Sequence, residues 1–274
     1  MVFFKRQEGS LVTNEKPLRK IMPFLMPTRN ESVVYFEQNI SVEAALVYLK
    51  NKPELSLFHL LLAAMIRCLV QYPKTNRFIS GGRIYQRPKP ILSFVVKKRM
   101  DEDADMTAVK VEFEPNDTIF DVTKRVNAHI NQGRSDKLTT SEKEMAIITK
   151  LPGFLLRFLF GLQRFLDRLN LLPNSMIKSD PMYSSIFVAN LGSLKLKAPW
   201  HHLSEYGTTP IFGVIGKTEK VPFVTESGDL GVREEILVRW SFDERIADGF
   251  YCSKALDVFE KSILNPASLE IRHE

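Results

Sequence analysis

The residues with the greatest capacity for chemistry lie close together near the end of the sequence, in Trp240-Ser241-Phe242-Asp243-Glu244-Arg245-Ile246-Ala247-Asp248-Gly249-Phe250-Tyr251. Three carboxylates and a guanidinium fall within six positions. A carboxylate there can accept a proton, pair with an arginine, or cap a helix. Glu244 reads either as a solvated or salt-bridged acid or as a general base. Asp248 reads as the cap of the following helix and the partner of an arginine. Arg245 reads as the partner of a carboxylate, and Gly249 as the residue that permits a tight turn.

Little else in the chain offers chemistry. There is no Gly-x-Ser-x-Gly elbow, no Gly-x-x-x-x-Gly-Lys phosphate loop and no His-Glu-x-x-His zinc helix, and Gly81-Gly82 reads as a turn. Of the five histidines, His59 sits in an apolar helical pattern and is expected in the core, while His129 and His273 are expected in solvent. His201-His202 lacks a third ligand at useful spacing, so no metal site is expected. Cys68 and Cys252 each sit in an apolar helical pattern and read as small buried hydrophobes.

The 240–251 segment resembles the active-site motif of dihydrolipoamide acyltransferase catalytic domains and their chloramphenicol acetyltransferase-like relatives, typically Ser-x-Asp-His-Arg-x-x-Asp-Gly. Ser241, Asp243, Arg245, Asp248 and Gly249 match, and Glu244 stands at the histidine position. Val188-Ala189-Asn190-Leu191-Gly192-Ser193 resembles the family's Ile-Ser-Asn-Leu-Gly segment, and Pro210–Gly216 resembles its next strand. Weaker similarity runs through Met22–Glu37 and Tyr72–Asn76, so the resemblance covers the chain from about residue 20 onward.

That resemblance implies a trimer, or a multiple of three, with sites between subunits and a small-molecule thioester as substrate. It also implies acyl transfer to or from a coenzyme A thiol, with no covalently bound cofactor. In such enzymes a histidine takes the thiol proton and a Ser or Thr hydroxyl steadies the oxyanion. This sequence departs at both places. An ordinary glutamate titrates near 4.3 and a thiol near 8.5, a gap of about 4 units or roughly 6 kcal/mol against proton transfer. Ala189, at the hydroxyl position, has nothing to donate, and losing one such donor costs ~10²–10³ in turnover. Asn190 and Ser193 are the nearby candidates to bind substrate in its place. Two readings follow: an acyltransferase with Glu244 as base and Asp248 beside it, or a catalytically inactive trimeric scaffold or ligand-binding homologue.

The elements that must position these residues read as a mixed α/β chain. Strands are expected at 33–40, 83–86, 91–97, 108–113, 185–189, 210–215 and 236–242. Helices are expected after Ser41, over 57–70, from Asp117 or Thr118, and over 249–264, with a polar surface connection at 131–144 and a hairpin return at Gly228-Asp229. The resemblance makes this an α/β (α+β two-layer) sandwich, a chloramphenicol acetyltransferase-like mixed sheet with helices on one face. Residues 1–20 are expected as an N-terminal extension to a domain spanning 21–274, with an amphipathic helical insertion at about 145–178. Within it, 153–172 places Arg157, Gly161, Arg164 and Arg168 on one stripe beside bulky apolar residues. It reads as a core or subunit-interface helix, or as a peripheral membrane contact.

Composition closes off other classes. The 274 residues are 44% hydrophobic and 26% charged, which excludes disorder. A net charge of +6 without a basic block of five argues against nucleic acid. No apolar run reaches a membrane-spanning length, the N-terminus lacks a signal-peptide pattern, and the expected location is cytoplasmic.

Overall fold

The computed structural model describes residues 6–97, 106–134, 148–225 and 227–273. Its centre is a mixed six-stranded sheet in the order β2-β9-β8-β7-β5-β6. These strands are β2 (Val33–Ser41), β5 (Ile91–Lys97), β6 (Met106–Glu112), β7 (Ile186–Asn190), β8 (Ile211–Val224) and β9 (Leu230–Asp243). The inner pairs β5–β7 and β7–β8 are parallel and the others antiparallel. A second, three-stranded sheet orders β1 (Ser10–Leu11), β4 (Arg83–Gln86) and β3 (Arg77–Ser80).

Period-two alternation decides which side of the large sheet is covered by helices. Ile40, Leu92, Phe94, Ile186, Val188, Ile211, Val238 and Trp240 point to one face and join a single core with helix residues. The helices are α2 (Glu43–Lys50), α3 (Leu57–Gln71), α4 (Ile119–Arg134) and α7 (Gly249–Leu264). α3 lies between α4 and α7, which explains its nearly continuous apolar sequence from Leu60 to Ile66. Cys68 and Cys252 are buried and unpaired in this core, and burial pushes the Cys252 thiol up to about 12. His59 is also buried: its Nδ1 accepts from Ser56 N at 3.2 Å, which closes a capping box, and its Nε2 meets Asn127 Oδ1 at 3.0 Å.

Several boundaries differ from the sequence expectation. Ser41 ends β2 instead of capping a helix; Val42 takes that place with no side-chain cap. The 131–144 connection begins inside α4, which runs to Arg134, and the remainder lies outside the described residues. Residues 6–20 are woven into the fold, because β1 pairs with β4 and the side chains of Arg6 and Glu8 are buried. β8 and β9 are 14 residues each, against expected runs over 210–215 and 236–242. A register irregularity between Ile215 and Thr218 separates the sheet proper from an arm. β2 follows β9 as far as Glu235, and from Val221 and Arg233 outward the two strands pair only with each other, closing where Thr225 N donates to Asp229 O and Gly228 adopts φ +87°.

The 153–172 region forms α5 (Gly153–Arg168), followed by the short α6 (Asn174–Ser179). α5 buries none of its residues, so the core reading of this helix is overturned. The turn Gly81-Gly82 receives it. Both glycines have positive φ, +55° and +72°. A Cβ on Gly81 would lie 2.4 Å from Arg168 O, and one on Gly82 would lie 2.9 Å from the Phe24 ring. Phe24 belongs to α1 (Pro17–Leu25), so the C-terminal ends of α1 and α5 meet on this turn.

Candidate active site

β9 ends by driving Asp243 into a buried position opposite Val33. Its carboxylate receives Arg245 Nε at 2.8 Å and Nη2 at 2.7 Å, the Arg245 backbone N at 3.1 Å, and Ser32 Oγ at 3.0 Å. Arg245 Nη1 extends the network to Met26 O at 2.8 Å. Both members of the bidentate pair are almost wholly buried, so removing one would leave an uncompensated charge costing about 3–5 kcal/mol. The pair locks the turn.

That lock leaves one motif side chain unengaged. The Glu244 backbone is clamped on both sides, its N donating to Ser32 O at 2.9 Å and its O accepting from Arg19 Nη1 at 2.5 Å. Its half-buried carboxylate makes no hydrogen bond or ion pair with any described residue. Asp248 caps α7, accepting from Tyr251 N at 2.9 Å, and lies 3.4 Å from Arg19 Nη2. Arg19 thus ties α1 to the motif on two sides. Sequence reasoning missed Arg19, Ser32 and Met26 because each lies more than 200 positions from its partner.

The second half of the expected site lies elsewhere. Ala189 pairs with Val214 of β8, which pairs with Arg239 of β9. Five residues along and two strands across place Ala189 roughly 20 Å from Glu244 within one chain, from standard strand spacings. Ser193 is exposed, and its hydroxyl donates to Asn190 O at 2.9 Å, which occupies it locally. Gly192 is required here, since a Cβ would lie 2.6 Å from Gly216 O. A single chain therefore does not bring Asn190 or Ser193 to Glu244.

The sheet face away from the helices is covered by the segment 195–203. Arg239 Nη1 donates to Ala198 O at 3.0 Å, and Ser241 Oγ donates to His201 O. The His201 ring stacks on Phe212 with centroids 3.8 Å apart, and Trp200 meets Tyr35 edge-on. His201 and His202 also stack on each other. His129 is half-buried, its Nδ1 2.9 Å from Arg125 O, rather than free in solvent.

Two cavities flank the motif. The smaller, about 190 Å³, reaches Ile246, Ala247 and Asp248 and is bordered by Lys16, Arg19, Lys74 and Arg77. The larger, about 490 Å³, lies between α1, α5 and the Gly81-Gly82 turn and includes Arg29, Arg164, Arg168 and Arg245. A buried charge cluster reaches the larger cavity through Asp167. Glu8 binds Arg6 and Arg87, each at 2.6 Å, and Arg6 also binds Asp167 at 2.6 Å. Burial alone would raise the Glu8 carboxyl, but Arg87 and Arg6 outweigh it and hold Glu8 below the ordinary range. At Asp167 burial prevails over the pull of Arg6, and its carboxyl sits above that range.

This architecture is shared. The chain has the fold of dihydrolipoamide acyltransferase catalytic cores and chloramphenicol acetyltransferase. A probable dihydrolipoamide acetyltransferase from Listeria monocytogenes 4b F2365 superposes with a TM-score of 0.60 at 13% identity, covering 94% of this chain and 95% of the other. The Azotobacter vinelandii dihydrolipoamide acetyltransferase gives 0.60 at 14% identity, over 94% of each chain; a serine, a histidine and an asparagine have been investigated in its catalytic mechanism. A chloramphenicol acetyltransferase gives 0.57 at 13% identity, over 94% and 98%. No family model matches the sequence, and no curated protein does.

Proposed function

We propose that this chain binds acyl thioesters on an acyltransferase scaffold whose ordinary thiol chemistry is lost or slow. The carrying observation is the motif turn itself. Its structural pairs, Asp243 with Arg245 and Asp248 with Tyr251 N, are intact, while the proton-accepting position holds Glu244 and the hydroxyl position holds Ala189. The cavity beside Asp248, where Lys16, Arg19, Lys74 and Arg77 outnumber Glu15 and Asp248, suits the phosphate-bearing end of a coenzyme A thioester. The separation of Ala189 from Glu244 within one chain supports a site completed by a neighbouring copy, in trimers or multiples of three.

The alternative, an active acyltransferase with Glu244 as base, draws support from the unengaged carboxylate on a rigid turn. The two readings separate in one assay. Wild-type protein with acetyl-coenzyme A and a panel of thiol acceptors should turn over slowly, and Glu244→His combined with Ala189→Ser should raise the rate by about 10²-fold or more. Robust wild-type turnover abolished by Glu244→Gln would establish the active reading instead. Coenzyme A binding, measured by calorimetry, should persist in wild type and in Glu244→Gln.

A further inference from the structure

α5 presents a face that its own chain leaves uncovered. Phe154, Phe158, Leu162, Phe165 and Leu169 recur at helical spacing and are all exposed, Phe154 by 75%. α1 repeats the pattern on a smaller scale with Leu18, Ile21, Phe24 and Leu25. The two helices border the same cavity and meet at Gly81-Gly82, so these apolar stripes are neighbours. Contiguous aromatic and leucine surface of this kind marks an interaction site.

Charge selects the occupant. α1 contains no acidic residue, and Asp167, the single acid of α5, is held by Arg6. The exposed charges are Lys16 at the start of α1, Lys20 within it, and Arg157, Arg164 and Arg168 on α5. Arg164 and Arg168 have no partner among the described residues. Arg29, buried at the cavity wall, leaves its Nε without a hydrogen-bond partner. Two copies packed face to face through this surface would oppose cation to cation, whereas an anionic bilayer offers phosphates to the arginines and an apolar boundary to the phenylalanines. No described helix is long and apolar enough to cross a membrane, so the contact is with its surface. We infer that α1 and α5 together form a docking face for an anionic phospholipid surface, with Arg164 and Arg168 engaging headgroup phosphates.

Flotation of the full chain tests this with phosphatidylcholine vesicles, with and without phosphatidylglycerol. The protein should float with the anionic vesicles and release at salt on the order of 1 M, where screening shortens to ~3 Å. Phe158→Glu with Phe165→Glu should abolish flotation with circular dichroism and oligomeric mass unchanged. Arg164→Gln with Arg168→Gln should weaken anionic binding by roughly 25-fold, about fivefold per charge, and narrow the preference over phosphatidylcholine by the same factor. Absence of wild-type flotation overturns the inference, as does flotation indifferent to the phenylalanine changes. A drop in oligomeric mass in Phe158→Glu with Phe165→Glu would also overturn it, assigning the face to a second copy.

Discussion

At the scale of single residues, this protein separates positioning from reactivity. Asp243, Arg245 and Asp248 have defined structural partners, and the carboxylate of Glu244, between them, has none among the described residues. The motif was legible because it is local: a strand, a turn and a cap within twelve positions. The buried cluster around Glu8 was not legible, because nothing near Glu8 in sequence announces Arg87 or Thr208. Glu8→Gln should cost about 3–5 kcal/mol by urea unfolding, since it leaves Arg6 and Arg87 buried and undercompensated. The pH dependence carries the same signature. A carboxyl held below its ordinary 4.5 contributes stability that is full above 4.5 and lost as pH falls through the depressed folded value. Wild type should therefore lose more stability on acidification below 4.5 than Glu8→Gln does. Asp167, raised by burial, works in the opposite sense and is relieved in acid.

At the scale of elements, alternation and apolar periodicity located the strands and helices of the main core, and the expected 249–264 helix has the observed bounds. β1, β3 and α1 escaped notice: the strands are two and four residues long, and α1 carries Pro17 and Pro23. The sequence of α5 is plainly amphipathic, but its periodicity gives the width of an apolar stripe and not what lies against it. Gly81 shows how such a helix is seated. Replacing it with alanine combines a left-handed backbone, ~1–2 kcal/mol, with a Cβ pressed on Arg168 O. Gly81→Ala should leave the sheet intact and release α5, seen as faster limited proteolysis around residues 153–172 with an unchanged circular dichroism spectrum.

At the scale of the whole molecule, the resemblance carried by a few short segments anticipated the sheet, its order of elements and the helices on one face, because strand patterning survives where sequence identity has fallen to 12–14%. It did not anticipate how far β8 and β9 run on. Light scattering should return a mass of three chains or a multiple of three. The arm of Val221–Val224 and Leu230–Arg233 offers an independent gauge. Two strands paired only with each other are marginal in water, and this pair exposes Val224, Val232 and Leu230, the last by 83%. Left bare, its amides would trade hydrogen for deuterium almost as quickly as a loop's, while those of β7 at the centre stay protected. A ribbon that owes its order to whatever it leans on keeps a record of company: its exchange should slow as the protein is concentrated, and quicken on dilution.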